Sequence, residues 1–309
     1  MIKGKALLLA KTEVTYGLDA GPTGALNSML CEAPAVEPVI TSLERQNVRA
    51  FLGAFQKLNV GEAIKIKFST ELKGSGTAGT APEIGPLLKA CGFTETSVPA
   101  TSVTYAPNSN ILTADSCTIW FYFDGMVHKA TGCRGTFDIE AKAGQYAKIN
   151  WEFTGLYQKA ADLALTTGTF NATVPARFVS ALLAIDTYAA IVENLKITIG
   201  NEIAKRVDAN AATGISAYFI KARNVTGEID PEVVTLATKD FWTMMDSSSL
   251  VAFTARIGSS AGNICTISSA RVQLTDIKYG DRENMMTYQL PIVFIPGASG
   301  NDEISIVLT

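Results

Sequence analysis

The strongest constraint on this chain is the alternation over Lys148–Tyr157, where Ile149, Trp151 and Phe153 are separated by Asn150, Glu152 and Thr154. A period of two puts the apolar set on one face of an extended strand and the polar set on the other. The same pattern runs through Phe137, Ile139 and Ala141 against Asp138, Glu140 and Lys142, and Ala143-Gly144-Gln145 between the two runs reads as a hairpin connection. Cys117–Phe123, just ahead of Asp124-Gly125, is more continuously apolar, which suits a buried position in a sheet. Helix signals are few. The best opens at Pro82-Glu83, carries Ile84, Leu87, Leu88 and Cys91 on one face and ends at Gly92. Before it, Lys73–Thr80 is a small-residue segment expected to be an exposed loop unless a partner orders it.

This order recurs at an offset of about 150 residues. Glu37–Phe68 gives an extended run, the charged residues Glu44, Arg45 and Arg49, and the strand Ala63–Phe68. Glu193–Ile220 gives alternating Leu195, Ile197 and Ile199, the charged residues Glu202, Lys205 and Arg206, and the strand Ile215–Ile220. A second helix is expected to open at Asp230-Pro231-Glu232 and to carry Val233, Val234, Ala237 and Phe241. Three strands follow each helix: Cys117–Phe123, Thr136–Ala141 and Lys148–Tyr157, then Leu250–Ile257, Ala270–Ile277 and Met286–Ile295. Trp151 and Phe153 have counterparts among Tyr288, Leu290 and Ile292. The expected fold is therefore mainly β, as two modules with one short flanking helix each, over 1–160 and 161–309. The charge-poor stretch Lys159–Pro175 is the join.

With 309 residues, 47% of them hydrophobic, the chain is long enough for two cores. Only 18% are charged, below the roughly 25% of ordinary soluble domains, so part of the apolar surface is expected to meet other subunits. A net charge of −3 gives no basic excess for gripping phosphates. Cys31, Cys91, Cys117, Cys133 and Cys265 form no CxxC pair and read as free thiols. The apolar run Ala6–Ala10 is too short for a signal-peptide core, and no stretch approaches the roughly 20 apolar residues of a membrane helix.

Catalytic chemistry is sparse. His128 is the one histidine and reads as a surface turn residue, so no histidine metal cage and no metal or cofactor site is expected. Gly74-Ser75-Gly76 lacks the lysine and the length of a phosphate loop, and no GxSxG or HExxH occurs. Asp138 and Glu140 point the same way from one strand, which suits a solvated or pore-facing surface better than a cleft with opposed carboxylates.

Two stretches are similar to the tail tube proteins of long-tailed bacteriophages. They are Tyr16-Gly17-Leu18-Asp19-Ala20 with Pro22-Thr23, and Glu71-Leu72-Lys73-Gly74-Ser75-Gly76 leading through Ala81-Pro82-Glu83-Ile84 to Leu87-Leu88-Lys89-Ala90-Cys91-Gly92-Phe93. A looser echo lies in Asn201, Arg206, Gly214 and Gly227-Glu228-Ile229-Asp230-Pro231. The resemblance implies tail-tube-type β-sandwich or barrel modules whose sheets join neighbouring copies into a closed barrel, in rings that stack into a hollow tube for double-stranded DNA. It also implies a place in the virion tail after synthesis in the host cytoplasm, and contact with tail terminator, tape measure and distal tail proteins, with no membrane partner. With two modules per chain, three chains make a pseudo-sixfold ring; if the extra length is instead an outer decorating domain, six do.

Contacts between copies are expected at Glu71, Lys73, Gly74, Ser75, Gly76 and Thr77, and at Asn224, Gly227 and Asp230 in the segment read as the second-half counterpart loop. Small flexible segments beside sheet edges need a partner for order. Two alternatives stay open: another β-rich tail or baseplate component, and a β-sandwich enzyme or carbohydrate-binding module.

Overall fold

A computed structural model describes residues 5–110 and 114–309. The first half contributes β1 (Ala6–Thr12), the helical turn α1 (Gly24–Asn27), β2 (Ser28–Met29), β3 (Glu32–Leu43), β4 (Leu58–Glu71), the helix α2 (Gly85–Ala90), β5 (Phe93–Val98), β6 (Ser102–Pro107), β7 (Cys117–Phe123), β8 (Met126–Lys142), β9 (Lys148–Tyr157) and β10 (Ala161–Asp162). The second contributes β11 (Ala184–Ile185), β12 (Tyr188–Ala189), β13 (Asn194–Thr198), β14 (Asn201–Val207), β15 (Ile215–Arg223), β16 (Thr226–Ile229), the helix α3 (Phe241–Asp246), β17 (Val251–Ile257), β18 (Cys265–Leu274), β19 (Lys278–Arg282), β20 (Met285–Phe294) and β21 (Ser305–Leu308). The molecule is mainly β, and its described strand pairings are antiparallel.

The alternation maps directly onto burial. Ile64, Ile66 and Phe68 of β4, Ile149, Trp151 and Phe153 of β9, and Phe137 and Ile139 of β8 all enter the core, while the residues between them face out. The aromatic rings pack closely, Phe137 on Trp151 at 4.9 Å and Trp151 on Phe153 at 5.9 Å between centroids. Trp151 Nε1 donates to Thr70 Oγ1 at 2.8 Å, so the one polar atom of that ring is satisfied inside the core. The Ala143-Gly144-Gln145 connection is a hairpin, with Gly144 at φ +81° and Glu140 registered on Lys148.

The pairing order repeats. In the first half the ladder runs β1–β7–β8–β9–β4–β3; in the second it runs β11–β17–β18–β20–β16–β13. Even an irregularity recurs: the register slips between Cys117 and Ile119 on β7, and between Val251 and Phe253 on β17. The two ladders are also joined. The far end of β8 pairs with β13, Ile139 opposite Ile197, and the C-terminal β21 pairs with β6. One continuous core cluster therefore spans both halves.

The first helix forms close to its expected place, with Leu87, Leu88 and Ala90 buried and Gly92 at φ +83° after its end. The second begins later than expected. Glu228 and Ile229 belong to β16, and the segment from Pro231 is held extended beside β20, where Tyr288 N donates to Pro231 O at 2.8 Å and Val233 N to Met286 O at 3.0 Å. Those backbone bonds compete with a helical ladder, and α3 starts only where the Asp240 side chain accepts from Thr243 N at 2.9 Å. His128 is likewise not in a turn: it lies within β8, half-buried, its ring edge-on to Phe123 at 5.7 Å, and burial lowers its pKa. The five cysteines are free thiols, four of them buried.

Truncating Trp151 to alanine removes a buried ring and strands Thr70. The expected loss is ~3–5 kcal/mol, read as a lower denaturant midpoint at unchanged slope. A loss below about 1 kcal/mol would show that the ring does not organise the core.

Candidate functional site

The two ladders share eight strands of one sheet, in the order β3–β4–β9–β8–β13–β16–β20–β19. Its core-facing side is mainly apolar, with Thr70 among the exceptions. Its other side is a continuous polar surface, since every strand presents its odd-numbered or even-numbered set consistently across the register. One row crosses five strands as Glu71, Lys148, Glu140, Lys196 and Glu228, alternating in sign at each step. Lys196 Nζ lies 3.0 Å from Glu140, and Lys67 Nζ lies 2.9 Å from Glu152. The hydrogen bond to Glu140 holds the Lys196 pKa above its ordinary value, with Asp138 and Glu228 adding to it.

These side chains are about half exposed, and such pairs contribute no more than about 1 kcal/mol each. Their consequence is electrostatic. Lys65, Lys67, Lys148 and Lys196 are matched by Asp138, Glu140, Glu152 and Glu228, so the face is hydrated yet close to neutral, without the basic stripe that would grip a phosphate backbone. A groove of about 500 Å³ beside the β8–β13 seam is lined by Glu140, Lys142, Lys196, Glu228 and Asp230, the same paired groups.

A second surface is the arm formed by β3 and β4, whose register runs from Glu32 opposite Ser69 to Leu43 opposite Leu58. Beyond the sheet this ribbon stands free, and Ile40, Leu43, Leu58 and Val60 are exposed along it. At its tip Val48 and Leu52 are fully exposed and Phe51 mostly so, while Arg49 stacks on Phe51 and Phe55 at 4.5 and 4.2 Å. A two-stranded ribbon with an uncovered apolar tip is a surface built to be covered. The charge pattern of Glu44, Arg45 and Arg49 marked this segment in the sequence, but the informative residues are the apolar ones interleaved with it. The equivalent arm in the second half, β14 with β15, ends in a short turn.

The residues expected to touch other copies are arranged differently. Lys73 is buried, 3.4 Å from Glu71 and 3.6 Å from Glu83, and its Nζ donates to Asn171 O at 3.2 Å. Gly74 N donates to Asn263 Oδ1 at 2.9 Å and Gly76 N to Gly262 O at 3.0 Å; a Cβ on Gly74 would lie 2.0 Å from Gly262 O. The second half of the same chain thus orders this loop, and of the group Gly76 and Thr77 are exposed at its rim, with Glu71 and Ser75 half-buried. The supposed counterpart loop is mostly strand. Gly227 is buried in β16 between two pairing neighbours, Asp230 is 3.0 Å from Arg282 and accepts from Asn194 N at 2.7 Å, and only Asn224 is exposed, at the kink between β15 and β16.

The Tyr16-Gly17 stretch has a structural task that its sequence did not disclose. The buried Glu13 carboxylate accepts from Gly17 N, Ser116 Oγ, Thr118 Oγ1 and Gly132 N, all at 2.6–2.9 Å. Tyr16 Oη donates to Gly132 O at 3.0 Å and accepts from Tyr218 N at 2.6 Å, clipping the N-terminal arm to the second-half hairpin.

Burial raises the Tyr16 pKa to about 12. The phenol is favoured neutral in the folded state, so its stabilisation is complete below the unfolded value near 10 and is lost as pH rises towards about 12. Tyr16→Phe is expected to make unfolding less steep over that interval in a pH-resolved denaturation series; an unchanged alkaline limb would exclude the clip as a contributor.

A family model described as phage tail tube protein matches residues 4–305. No curated protein matches the chain.

Proposed function

Because the chain belongs to the phage tail tube protein family and is thereby a structural virion component, we propose that three copies form a pseudo-sixfold ring whose stacked repeats make the hollow tube through which the genome passes. The observation that carries this reading is the repeated ladder: two runs of strands with the same pairing order, already joined edge to edge in one eight-strand sheet, which supports two modules over 1–160 and 161–309. Such a pair is a third of a closed ring rather than a finished globule. Three eight-strand sheets give about 24 strands, and at about 4.8 Å between strands they enclose a circle roughly 40 Å across, wide enough for a DNA double helix.

The polar face lines the lumen in this reading. Its alternating charges keep it wet while offering phosphates no net cation field, so DNA slides without the salt-sensitive hold of lysine or arginine rings. The apolar-tipped arm makes the contact from ring to ring, and the exposed edge of the Ser75–Thr77 loop joins that surface. The chain works by assembly rather than catalysis, with tail terminator, tape measure and distal tail proteins at the ends of the tube.

Electron micrographs of the concentrated protein are expected to show stacked rings, with three whole chains per ring by mass; six would refute the two-module arrangement. Replacing Val48, Phe51 and Leu52 together by serine is expected to leave the fold and single rings intact while reducing stacking into tubes about tenfold or more, each buried side chain contributing ~1.5–3 kcal/mol to the contact. Tubes of unchanged length would remove the arm from the stacking interface.

A further inference from the structure

The junction between the halves leaves two unmatched edges. Inside the chain, β8 pairs with β13. The recurring register slip superposes Cys117–Ile119 of β7 on Val251–Phe253 of β17, and the ladders then carry the correspondence strand by strand. Through β9 and β20 it places Trp151 on Leu290; through β8 and β19, Ile139 on Tyr279; and through β4 and β16, Ile197 of β13 on Val36 of β3. The counterparts of the two joined strands are therefore β19 and β3, at opposite ends of the eight-strand sheet, each with one free edge: among the described residues β19 pairs only with β20 and β3 only with β4.

Burial shows what each edge lacks. Ile139, covered by the neighbouring module, is 0% exposed, whereas Tyr279 in the equivalent place is 57% exposed. Ile197 is buried, and Val36 in its place is only half covered.

We propose that the ring closes by repeating this internal junction between copies, β19 of one chain lying antiparallel beside β3 of the next, with Tyr279 opposite Val36 and Lys278 opposite Glu37. The proposal rests on the tube reading above and supplies the interface it needs. Charge fits the register. Glu37 is registered on Lys65 and Lys278 on Gln289, which puts both on the polar face, so the new seam continues the rule of opposite charges set opposite one another that Lys196 and Glu140 follow at the internal one. Lys278 otherwise reaches only the exposed Asp276, at 3.2 Å.

The backbone chemistry of the two seams differs in one respect. At the internal seam Ile199 N donates to Phe137 O at 3.1 Å, and the alternation makes Leu195 and Ile197 donors on the same side. The counterparts of Leu195 and Ile199 are Pro34 and Pro38, which have no N–H to give. The outer edge of β3 keeps its acceptors but loses two donors, so free copies do not pair indiscriminately through it and the seam between chains is weaker than the seam within one.

The alternation that makes Ile139 and Ile197 a hydrogen-bonded pair makes Lys278 and Glu37 a non-hydrogen-bonded one, where opposed Cβ atoms come close enough for a disulfide. The test is the double variant Glu37→Cys, Lys278→Cys in a Cys31→Ser background, oxidised during assembly and resolved on a non-reducing denaturing gel beside electron micrographs of the same sample. A covalent ladder that stops at three chains is expected, while Glu37→Cys with Tyr279→Cys, on opposite faces, yields none. A ladder that stops at six keeps the seam and overturns the count of three. Rings without crosslinks overturn the seam and leave the tube reading standing; neither rings nor crosslinks overturn both. As a check free of cysteine, Glu37→Lys is expected to lower ring yield about tenfold or more and Lys278→Glu to restore it in the same chain, because like charges set opposite each other destabilise a strand pair. No restoration, with the variants folded by circular dichroism, overturns the register.

Discussion

Everything in this molecule depends on the far end of β8 being hydrogen-bonded on both sides at once. Between Asp138 and Glu140 that strand pairs with β9 on one edge and β13 on the other, with Phe137, Ile139 and Ala141 buried beneath. A strand exposed there would present unpaired N–H and C=O groups and a strip of apolar side chains together. Supplying the partner from the same chain turns two half-sheets into one sheet and two half-cores into one cluster. The N-terminal clip at Glu13 and Tyr16, the docking of the glycine loop on Gly262 and Asn263, and the pairing of β21 with β6 all reinforce that single joint.

The joint also determines the electrostatics. Strands in consistent antiparallel register bring side chains of the same parity into rows, and the row from Glu71 to Glu228 alternates in sign because each neighbour was matched across a ladder rather than along the chain. Exposed pairs of this kind add little stability. Their consequence is a hydrated surface close to neutral, without a cation field for phosphates.

Exposure is unevenly distributed over the sheet and the arm. At the two ends of the sheet, β3 and β19 each have one edge without a partner strand among the described residues, and Tyr279 is exposed there. Exposed apolar side chains also mark the tip of the β3–β4 arm, whose connecting loop is longer than the turn between β14 and β15. The two halves, with one ladder order, thus differ in the loops that end their arms.

The sequence by itself determined the local states. Period-two alternation at Lys148–Tyr157 and Phe137–Lys142, the Gly144 hairpin, the helix ending before Gly92 and the recurring order were legible because each is set by neighbours along the chain. The tail tube resemblance was legible in the stretches around Tyr16 and from Glu71 to Phe93 for the same reason. Tertiary structure alone decided which edges pair. It moved the second helix from Pro231 to Phe241, because backbone bonds to Met286 and Tyr288 hold Pro231–Val233 extended and a turn closed by Thr235 follows, and it turned Gly227 from a loop glycine into the centre of a sheet. It also buried Lys73 and folded the glycine loop onto its own chain, leaving the apolar tip of the β3–β4 arm as the exposed surface. A strand carries its face in its sequence and a tight hairpin its nearest neighbour, but the β8–β13 ladder closes over more than fifty residues, and no local pattern encodes it.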